Sequence, residues 1–191
     1  MAGRGHPHHV ACRLFERRHR LTEDEIADAR GLWRAYAAPE PTALTRLVPA
    51  LPFARRAIRL HCGRFPSLTH GLDEVEHATL AALDDVLGFA ALFRAVTEAP
   101  TLRELGMGDV QLAATLGDLA AGDTPLVSIH AREHAFGQWR ISRTPAGADV
   151  LAGRADRLAL SPLDRWLGGV HLRPDAPLWR WDGDRLVAVA R

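Results

Sequence analysis

Residues 141–153 decide the predicted fold, and they read Ile-Ser-Arg-Thr-Pro-Ala-Gly-Ala-Asp-Val-Leu-Ala-Gly. The stretch begins as a strand and passes at Thr144-Pro145 into a short helix, because threonine is favoured as an N-cap and proline at the first helical position. Gly153 is expected to end this helix. A strand that runs through a cap into a short closing helix is typical of the end of a winged-helix domain.

Two short alternating segments precede this stretch. Residues 126–129 and 136–141 flank a polar turn, and their alternation of apolar and polar side chains predicts the two strands of a β-hairpin. In a winged-helix domain the turn between these strands is the wing.

Three helices are predicted ahead of the hairpin. Residues 73–76 form a capping box for the first, and apolar residues recur at helical spacing in all three. The second is predicted over residues 89–98, and the third runs from a cap at Asp109 to Gly122. With the hairpin and the closing helix, they predict a winged helix-turn-helix over residues 67–160. The side chains expected to face its core include Val75, Ala78, Thr79, Ala82, Leu83, Phe89, Leu92, Phe93, Val96, Val110, Leu112, Ala113, Leu116 and Leu119.

A separate helical unit is predicted over residues 21–66, after a flexible N-terminus at residues 1–20. Its first helix begins with the capping box of Thr22 and Glu25. Prolines end this helix and open two shorter ones, because proline suits the first helical position. The apolar faces expected to pack inward carry Ile26, Ala29, Trp33 and Ala37 in the first helix and Phe53, Ala57 and Leu60 in the third.

The last segment, residues 161–191, is predicted to be an extended aromatic tail packed on the winged-helix domain. Asp182-Gly183 is a common two-residue hairpin turn, so a β-hairpin is expected there. Gly168-Gly169 is expected to let the tail pass close to the winged-helix domain. The predicted fold class is therefore mainly α with a small β component (α+β). It comprises N-terminal helices, a winged helix-turn-helix and a C-terminal β-hairpin tail.

Charge is distributed unevenly along the chain. Residues 1–66 carry a net charge of +6, residues 67–123 carry −8 and residues 124–191 carry +3, for a total of +1. All 24 basic residues are arginine, which excludes a lysine Schiff base. No apolar run is long enough to span a membrane, and the N-terminus lacks the apolar core of a signal peptide. We therefore expect a cytoplasmic protein with no membrane association.

Several motifs give the chain a family resemblance from about Phe15 to Asp182. They are Leu21-Thr-Glu-Asp-Glu, Trp33-Arg-Ala-Tyr, Leu51-Pro-Phe, Arg64-Phe-Pro-Ser, Gly71-Leu, Gly108-Asp, Ser142-Arg-Thr-Pro-Ala-Gly, Val150-Leu-Ala-Gly, Asp164-Arg-Trp-Leu-Gly-Gly-Val-His-Leu and Trp179-Arg-Trp-Asp. In these the chain resembles the C-terminal part of the bacterial family called domain of unknown function 1835. The resemblance implies the winged-helix region and the tail. It implies no activity, and the α/β unit that family members usually carry ahead of this region has no counterpart in the sequence.

The tail carries the strongest candidate site. Tryptophan and arginine are enriched where proteins bind one another, and both cluster in this segment. A structural role for the tryptophans, as a cap on the core of a small domain, is the alternative. The interaction candidates are Arg165, Trp166, His171, Trp179, Arg180 and Trp181.

Duplex DNA is the other ligand that a winged helix commonly binds, with its third helix in the major groove and its wing on the phosphates. The third helix here lies in the −8 segment and contains no arginine, whereas phosphate binding requires cations. We therefore favour a non-catalytic protein-interaction or regulatory module, whose partner is another protein, over a DNA-binding transcriptional regulator. The sequence leaves open whether the protein also forms a homo-oligomer. The candidate DNA contacts are Gln111, Thr115, Arg132, Arg140 and Arg143.

Catalytic and metal-binding motifs are missing from the sequence. It has no G-x-S-x-G, P-loop or G-x-G-x-x-G motif, and its cysteines and histidines lack the spacing of a zinc site. We expect no cofactor, no metal and no catalytic residue. An enzyme is the remaining alternative, favoured if a pocket near the tail joins His171, Asp164 or His77 to acids with shifted pKa values.

Overall fold

The computed structural model describes residues 15–189, so most of the predicted flexible N-terminus lies outside it. Within this range the chain is an α+β protein with short helices and three small antiparallel sheets. The helices are α1 Glu23–Tyr36, α2 Thr42–Arg46, α3 Ala54–Cys62, α4 Glu74–Ala81, α5 Phe89–Glu98, α6 Asp109–Leu119, α7 Pro145–Leu151 and α8 Arg157–Leu160, with a 3-10 turn at Phe136–Gln138. The strands are β1 Leu87–Gly88, β2 Val127–His130, β3 Arg140–Arg143, β4 Arg165–Leu167, β5 Val170–Leu172, β6 Leu178–Trp181 and β7 Leu186–Val189.

Capping boxes open α1 and α4, as the sequence predicts. The Thr22 hydroxyl accepts a hydrogen bond from the Glu25 N–H at 3.2 Å, and the Glu25 carboxylate accepts one from the Thr22 N–H at 2.8 Å. Asp73 and Glu76 exchange the corresponding bonds at 2.8 and 3.0 Å. These bonds satisfy N–H groups that a helix start leaves unpaired. The predicted bounds of α5 are also confirmed.

Residues 74–151, which we call the central unit, combine helices with the three-stranded sheet. In this sheet β3 lies between β1 and β2. Ile141 of β3 pairs with Leu87 on one side and Ile129 on the other, and it is fully buried. β3 continues into α7 through Thr144, whose hydroxyl accepts a hydrogen bond from the Gly147 N–H at 3.0 Å. The predicted strand, cap and short closing helix are therefore confirmed.

Two hydrophobic clusters fill the interior. The larger cluster is formed by the helices and the sheet of the central unit. The smaller one joins the end of α3 to the C-terminal strands, so the tail packs against the N-terminal part of the chain. The larger cluster contains Leu72, Val75, Leu80, Leu83, Phe89, Leu92, Val96, Leu102, Leu112, Leu116, Leu119, Leu126, Val127, Ile141 and Val150. The smaller cluster contains Cys62, Phe65, Leu163, Val170, Leu172, Trp181 and Leu186.

The tail forms two hairpins, where the sequence predicts one. β4 and β5 pair around Gly168-Gly169, and β6 and β7 pair around a turn centred on Gly183 and Asp184. The predicted turn at Asp182-Gly183 is therefore wrong by one residue. The cause is the Asp182 carboxylate, which accepts hydrogen bonds from the N–H groups of Asp184 and Arg185 at 2.8 and 2.7 Å and so holds Asp182 at the first turn position.

The Gly168-Gly169 turn lies against the C-terminal end of α1. The Gly169 N–H donates a hydrogen bond to the Tyr36 carbonyl at 2.9 Å, and a Cβ on Gly169 would lie 2.0 Å from the Ala37 carbonyl oxygen. Gly168 also has a φ of +61°, in the region that favours glycine. A close approach was expected here, but its partner is α1, so the glycine pair joins the tail to the N-terminal helices.

The third helix of the central unit, α6, differs from its prediction in two ways. Gly108 occupies the predicted cap position of Asp109, because the Gln111 side chain accepts a hydrogen bond from the Gly108 N–H at 2.7 Å. Val110 was expected to be buried and is 67% exposed. The buried face of α6 consists of Leu112, Leu116 and Leu119.

The inward face of α3 is also not the predicted one. The sequence predicts Phe53, Ala57 and Leu60 on this face, but Phe53 is 69% exposed and Ala57 is exposed as well. The residues that face inward are Ala54, Ile58 and Cys62. Both sets are apolar at helical spacing, and packing of Cys62 beside the C-terminal strands decides between them.

The second strand of the predicted β-hairpin is shorter than expected. Residues 136–138 form a 3-10 turn, so β3 starts at Arg140. Phe136 packs on Phe89 with ring centroids 4.7 Å apart, and this contact holds the turn on the core.

Candidate functional site

The interaction candidate Arg165 points into the protein. Its guanidinium lies 3.2 Å from an Asp73 carboxylate oxygen and 3.5 Å from one of Glu76. Arg157 lies 3.5 Å from Glu76, and Arg64 lies 3.5 Å from Asp73. Both carboxylates are only 1% exposed. These five residues, which we call the buried ion cluster, hold β4 and α8 against the start of α4.

Opposing effects act on the pKa of Glu76 in the buried ion cluster. Burial raises the pKa of Glu76, and the adjacent Asp73 carboxylate raises it further. The guanidinium groups of Arg165 and Arg157 lower it. Charges removed from water need such partners, because the cost of desolvation is several kcal/mol per ion. The cluster therefore has a structural role, and both terminal nitrogens of the Arg165 guanidinium are used in it.

The residues of β6 are likewise occupied within the protein. Arg180 donates hydrogen bonds to an Asp156 carboxylate oxygen at 2.6 Å and to the Ser67 carbonyl at 3.2 Å. Trp181 is 7% exposed and belongs to the smaller hydrophobic cluster, against which Trp179 packs. The contacts of these candidates match the structural alternative considered for the tail.

Trp166 and His171 are the interaction candidates at the surface of the tail. Trp166 is 64% exposed and stacks on His171 across the β4–β5 hairpin, with ring centroids 4.4 Å apart and an interplanar angle of 14°. His171 Nε2 lies 2.6 Å from an Asp164 carboxylate oxygen. This stack is a small exposed aromatic patch, supported by the hydrogen bond between His171 and Asp164.

The candidate base readers on α6 are engaged within their own helix. Gln111 Oε1 accepts the capping hydrogen bond from Gly108, and the Thr115 hydroxyl donates to the Gln111 carbonyl at 3.1 Å. The outward face of α6 carries carboxylates and small apolar groups in place of cations. Its exposed residues are Asp109, Val110, Gln111, Ala114 and Asp118.

The three arginines in and beside the predicted wing are not equivalent. Arg143 donates hydrogen bonds to the Leu80 carbonyl at 2.8 Å and to Asp84 at 3.1 Å, so it ties β3 to α4. Arg132 and Arg140 are exposed. These two are the DNA candidates whose charge faces solvent.

A cavity of about 480 Å³ lies between α4, the segment 67–70 and the β6–β7 turn. Its wall is largely apolar, and we call it the polar cavity after the titratable side chains that it contains. His70 and His77 stack at its wall with ring centroids 5.0 Å apart. The Ser67 hydroxyl lies 2.9 Å from His70 Nδ1, which also accepts the Leu72 N–H at 3.2 Å. The Ser67 hydroxyl therefore donates to a neutral imidazole. The lining includes Arg59, Ser67, His70, Glu74, His77 and Trp181.

Burial shifts the pKa values of several titratable groups around the polar cavity. It lowers the pKa of His70 and of His77, and it raises the pKa of Glu74. Arg59, whose guanidinium lies 3.5 Å from Glu74, opposes the last effect. The enzyme alternative requires His77 beside an acid whose pKa is shifted. The polar cavity contains such a pair, His77 and Glu74. The His171–Asp164 pair does not line it.

An apolar groove runs along α1 and α3, and sequence reasoning missed it. One depression of about 370 Å³ lies between the two helices, and a second of about 390 Å³ continues on the other side of Trp33. Trp33 is 65% exposed, where the sequence predicts an inward position. We call this surface the N-terminal groove. Its larger side chains are Leu21, Ile26, Leu32, Trp33, Tyr36, Phe53 and Ile58.

Residues 15–189 contain no site assembled for metal binding or for thiol chemistry. In that range no group of three or more histidine, cysteine or acidic side chains is placed to hold a metal ion. Burial raises the pKa of the Cys62 thiol to about 12, which makes it unreactive, and Cys12 lies outside the range. None of the helices described there is long and apolar enough to cross a membrane.

Comparisons with protein-family models, with curated proteins and with solved structures gave no match to this chain. The resemblance to domain of unknown function 1835 therefore stays a prediction, and function is argued from the geometry of the surfaces and cavities.

Proposed function

We propose that this chain is a non-catalytic winged-helix protein that acts as a protein-interaction or regulatory module, with another protein as its partner. The observation that carries the proposal is the N-terminal groove, where Trp33 is 65% and Phe53 69% exposed. Contiguous apolar patches of this kind are rare on monomeric proteins and usually mark binding surfaces. Exposed tryptophan and tyrosine are also the side chains that dominate binding energy in many interfaces.

The order of elements in the central unit supports a winged helix. A helix (α4), a short strand (β1) and two helices (α5 and α6) precede the β2–β3 hairpin, and the sheet order is β1-β3-β2. In such an arrangement α6 corresponds to the recognition helix, and the turn after β2 corresponds to the wing.

The charge of α6 favours a protein partner over duplex DNA. Asp109 and Asp118 are exposed on the helix that would enter the major groove. Phosphate contacts supply most of the affinity for DNA, and carboxylates at this position repel phosphates. Arg132 and Arg140 are too few to offset this repulsion. A DNA-binding regulator is therefore the less favoured reading of the same architecture.

The proposal can be tested by affinity capture from the cells that encode the protein. Trp33→Ser is compared with Trp166→Ser, because the two tryptophans are almost equally exposed, at 65% and 64%, on different surfaces. We expect the wild-type and Trp166→Ser proteins to capture the same partner and Trp33→Ser to lose it. Capture that is unaffected by Trp33→Ser contradicts the proposed surface.

The polar cavity favours a second function, the turnover of a small polar ester. The supporting observation is the pair of stacked, neutral histidines beside Ser67 and the half-buried Glu74. Hydrolysis of p-nitrophenyl acetate and p-nitrophenyl phosphate by the wild-type protein and by His70→Gln and His77→Gln tests it. A rate above background that either substitution abolishes favours an enzyme. Rates equal to background in all three proteins rule against it for these ester classes.

A further inference from the structure

We infer that the N-terminal groove is the face through which two copies of this chain associate, with their α1 helices antiparallel across a twofold axis. The inference rests on the proposed function, because it names the partner that the groove receives.

The apolar stripe of α1 has the shape that such a pairing requires. Ile26, Ala29, Trp33 and Tyr36 follow one another at spacings of three and four residues, which places them on one face of the helix. The stripe runs from Ile26 to Tyr36, so it is roughly 15 Å long. A second α1 in antiparallel orientation covers all of it.

Charge along α1 distinguishes a second copy from other occupants. Glu23 and Asp24 are exposed in the first turn, and Arg30 and Arg34 are exposed in the second half. Within residues 15–189 none of these four forms an ion pair with another side chain. With 3.6 residues per turn, Glu23, Arg30 and Arg34 lie on one flank of the apolar stripe, so an antiparallel pairing sets Glu23 of each helix against the basic half of the other. A uniformly acidic or basic partner helix matches only one half and is repelled by the other.

The exposed apolar area is close to what a specific dimer needs. Trp33, Tyr36 and Phe53 are 65%, 38% and 69% exposed, and a covered aromatic side chain buries about 150–250 Å², so the three contribute roughly 350 Å² per copy. Twofold symmetry doubles this area. With Leu21 and Ile26 included, the total approaches roughly 1,000 Å², the lower limit for a specific interface.

The first test is the oligomeric state of the full chain by sedimentation equilibrium. We expect a dimer whose dissociation constant rises about thirtyfold or more in Trp33→Glu, because an aromatic hot spot is lost. Trp166→Glu is the matched control and is expected to dimerise like the wild type. Circular dichroism checks that both variants are folded. A wild-type chain that is monomeric at high micromolar concentration, or a dimer that Trp33→Glu leaves intact, overturns the inference.

The second test exchanges the charges of α1. Arg30→Glu/Arg34→Glu makes every charge of α1 acidic. Glu23→Arg/Asp24→Arg makes its fully exposed charges basic and leaves only the partly buried Glu25 and Asp28 acidic. Each double variant is therefore expected to be monomeric alone. Mixed in equal amounts they are expected to form heterodimers, detected by native mass spectrometry. Variants that merely unfold cannot restore each other in this way. A mixture that stays monomeric overturns the inference.

The two proposals can fail separately. A monomeric wild-type chain that still captures another protein in a Trp33-dependent manner overturns the association of two copies and leaves the interaction function standing. A monomeric chain with no Trp33-dependent capture overturns both.

Discussion

Arg165 neutralises carboxylates that the fold removes from water. Asp73 and Glu76 are both 1% exposed, and their reciprocal capping bonds fix them side by side at the start of α4. Two adjacent buried carboxylates repel each other, so the position is stable only with guanidinium groups close by. Arg165 lies within reach of both, and it arrives from the tail.

Replacing this side chain is expected to destabilise the protein strongly. Arg165→Met should lower the free energy of unfolding by about 3 kcal/mol, because the two buried carboxylates lose the guanidinium that reaches both of them. Arg173→Met is the control, since Arg173 pairs with Asp175 at 3.1 Å on the surface and both side chains are largely exposed. Surface pairs contribute at most about 1 kcal/mol, so the control should change little. Equal denaturant midpoints for the two variants in urea unfolding contradict the role of Arg165.

The stacked histidines of the polar cavity predict a pH dependence of stability. Burial lowers the pKa of His70 and His77 below the ordinary value of 6.5. Below that pH the unfolded chain binds more protons than the folded one, so the stability that these groups contribute falls as the pH falls. The raised pKa values of Glu74 and Glu76 act in the opposite direction at lower pH.

A double variant isolates the histidine contribution from that of the acids. We expect wild-type stability to decrease between about pH 7.5 and pH 5.5, the interval in which histidine titrates, and His70→Gln/His77→Gln to decrease by less. Urea unfolding at both pH values measures the difference. Identical pH dependence in the two proteins shows that the imidazoles are not protected from protonation.

Among the elements, α1 and the β4–β5 hairpin meet in a close backbone contact. The glycine turn of the hairpin lies against the last residues of α1, where the Tyr36 carbonyl accepts the Gly169 N–H. A helix C-terminus leaves carbonyls unpaired, and this bond satisfies one of them. The contact also positions α1, and with it the N-terminal groove, relative to the smaller hydrophobic cluster.

Gly169→Ala tests this contact, because its Cβ would lie 2.0 Å from the Ala37 carbonyl oxygen. We expect the free energy of unfolding to fall by roughly 1–3 kcal/mol, as it does when a packed site is overfilled. Gly137→Ala is the control, since a Cβ there would meet no atom within 4 Å. Thermal unfolding compares the two variants. If they unfold at the same temperature, the hairpin is not packed against α1 in this way.

Elements governed by local chemistry could be predicted from the sequence, and those governed by distant packing could not. The capping box of α4 and the bounds of α5 depend on residues a few positions apart, and both predictions are confirmed. The inward face of α3 depends on Cys62 packing beside strands from the far end of the chain. The contact of Arg165 with Asp73 spans 92 residues and leaves no trace in either local pattern.

At the scale of the whole molecule, some of the charged side chains are paired with each other in the interior. The acids of the −8 segment include Asp73 and Glu76, which are paired with arginines from both basic flanks. Segment charge therefore overstates the charge at the surface. The acidic face of α6 is an exception, and its sign could be read from the sequence because a helix without arginine cannot present cations. The exposure of the apolar stripe on α1 could not be predicted from the sequence. Apolar residues have the same helical spacing whether other residues cover them or solvent does.

The central claim is that this architecture contacts proteins in preference to duplex DNA, and fluorescence anisotropy with a labelled duplex at low salt tests it most directly. We predict no saturable binding up to micromolar protein, because α6 presents carboxylates where phosphates would have to approach. Binding at or below micromolar that weakens steeply with added salt, and that is lost in Arg132→Ala/Arg140→Ala, would contradict the claim.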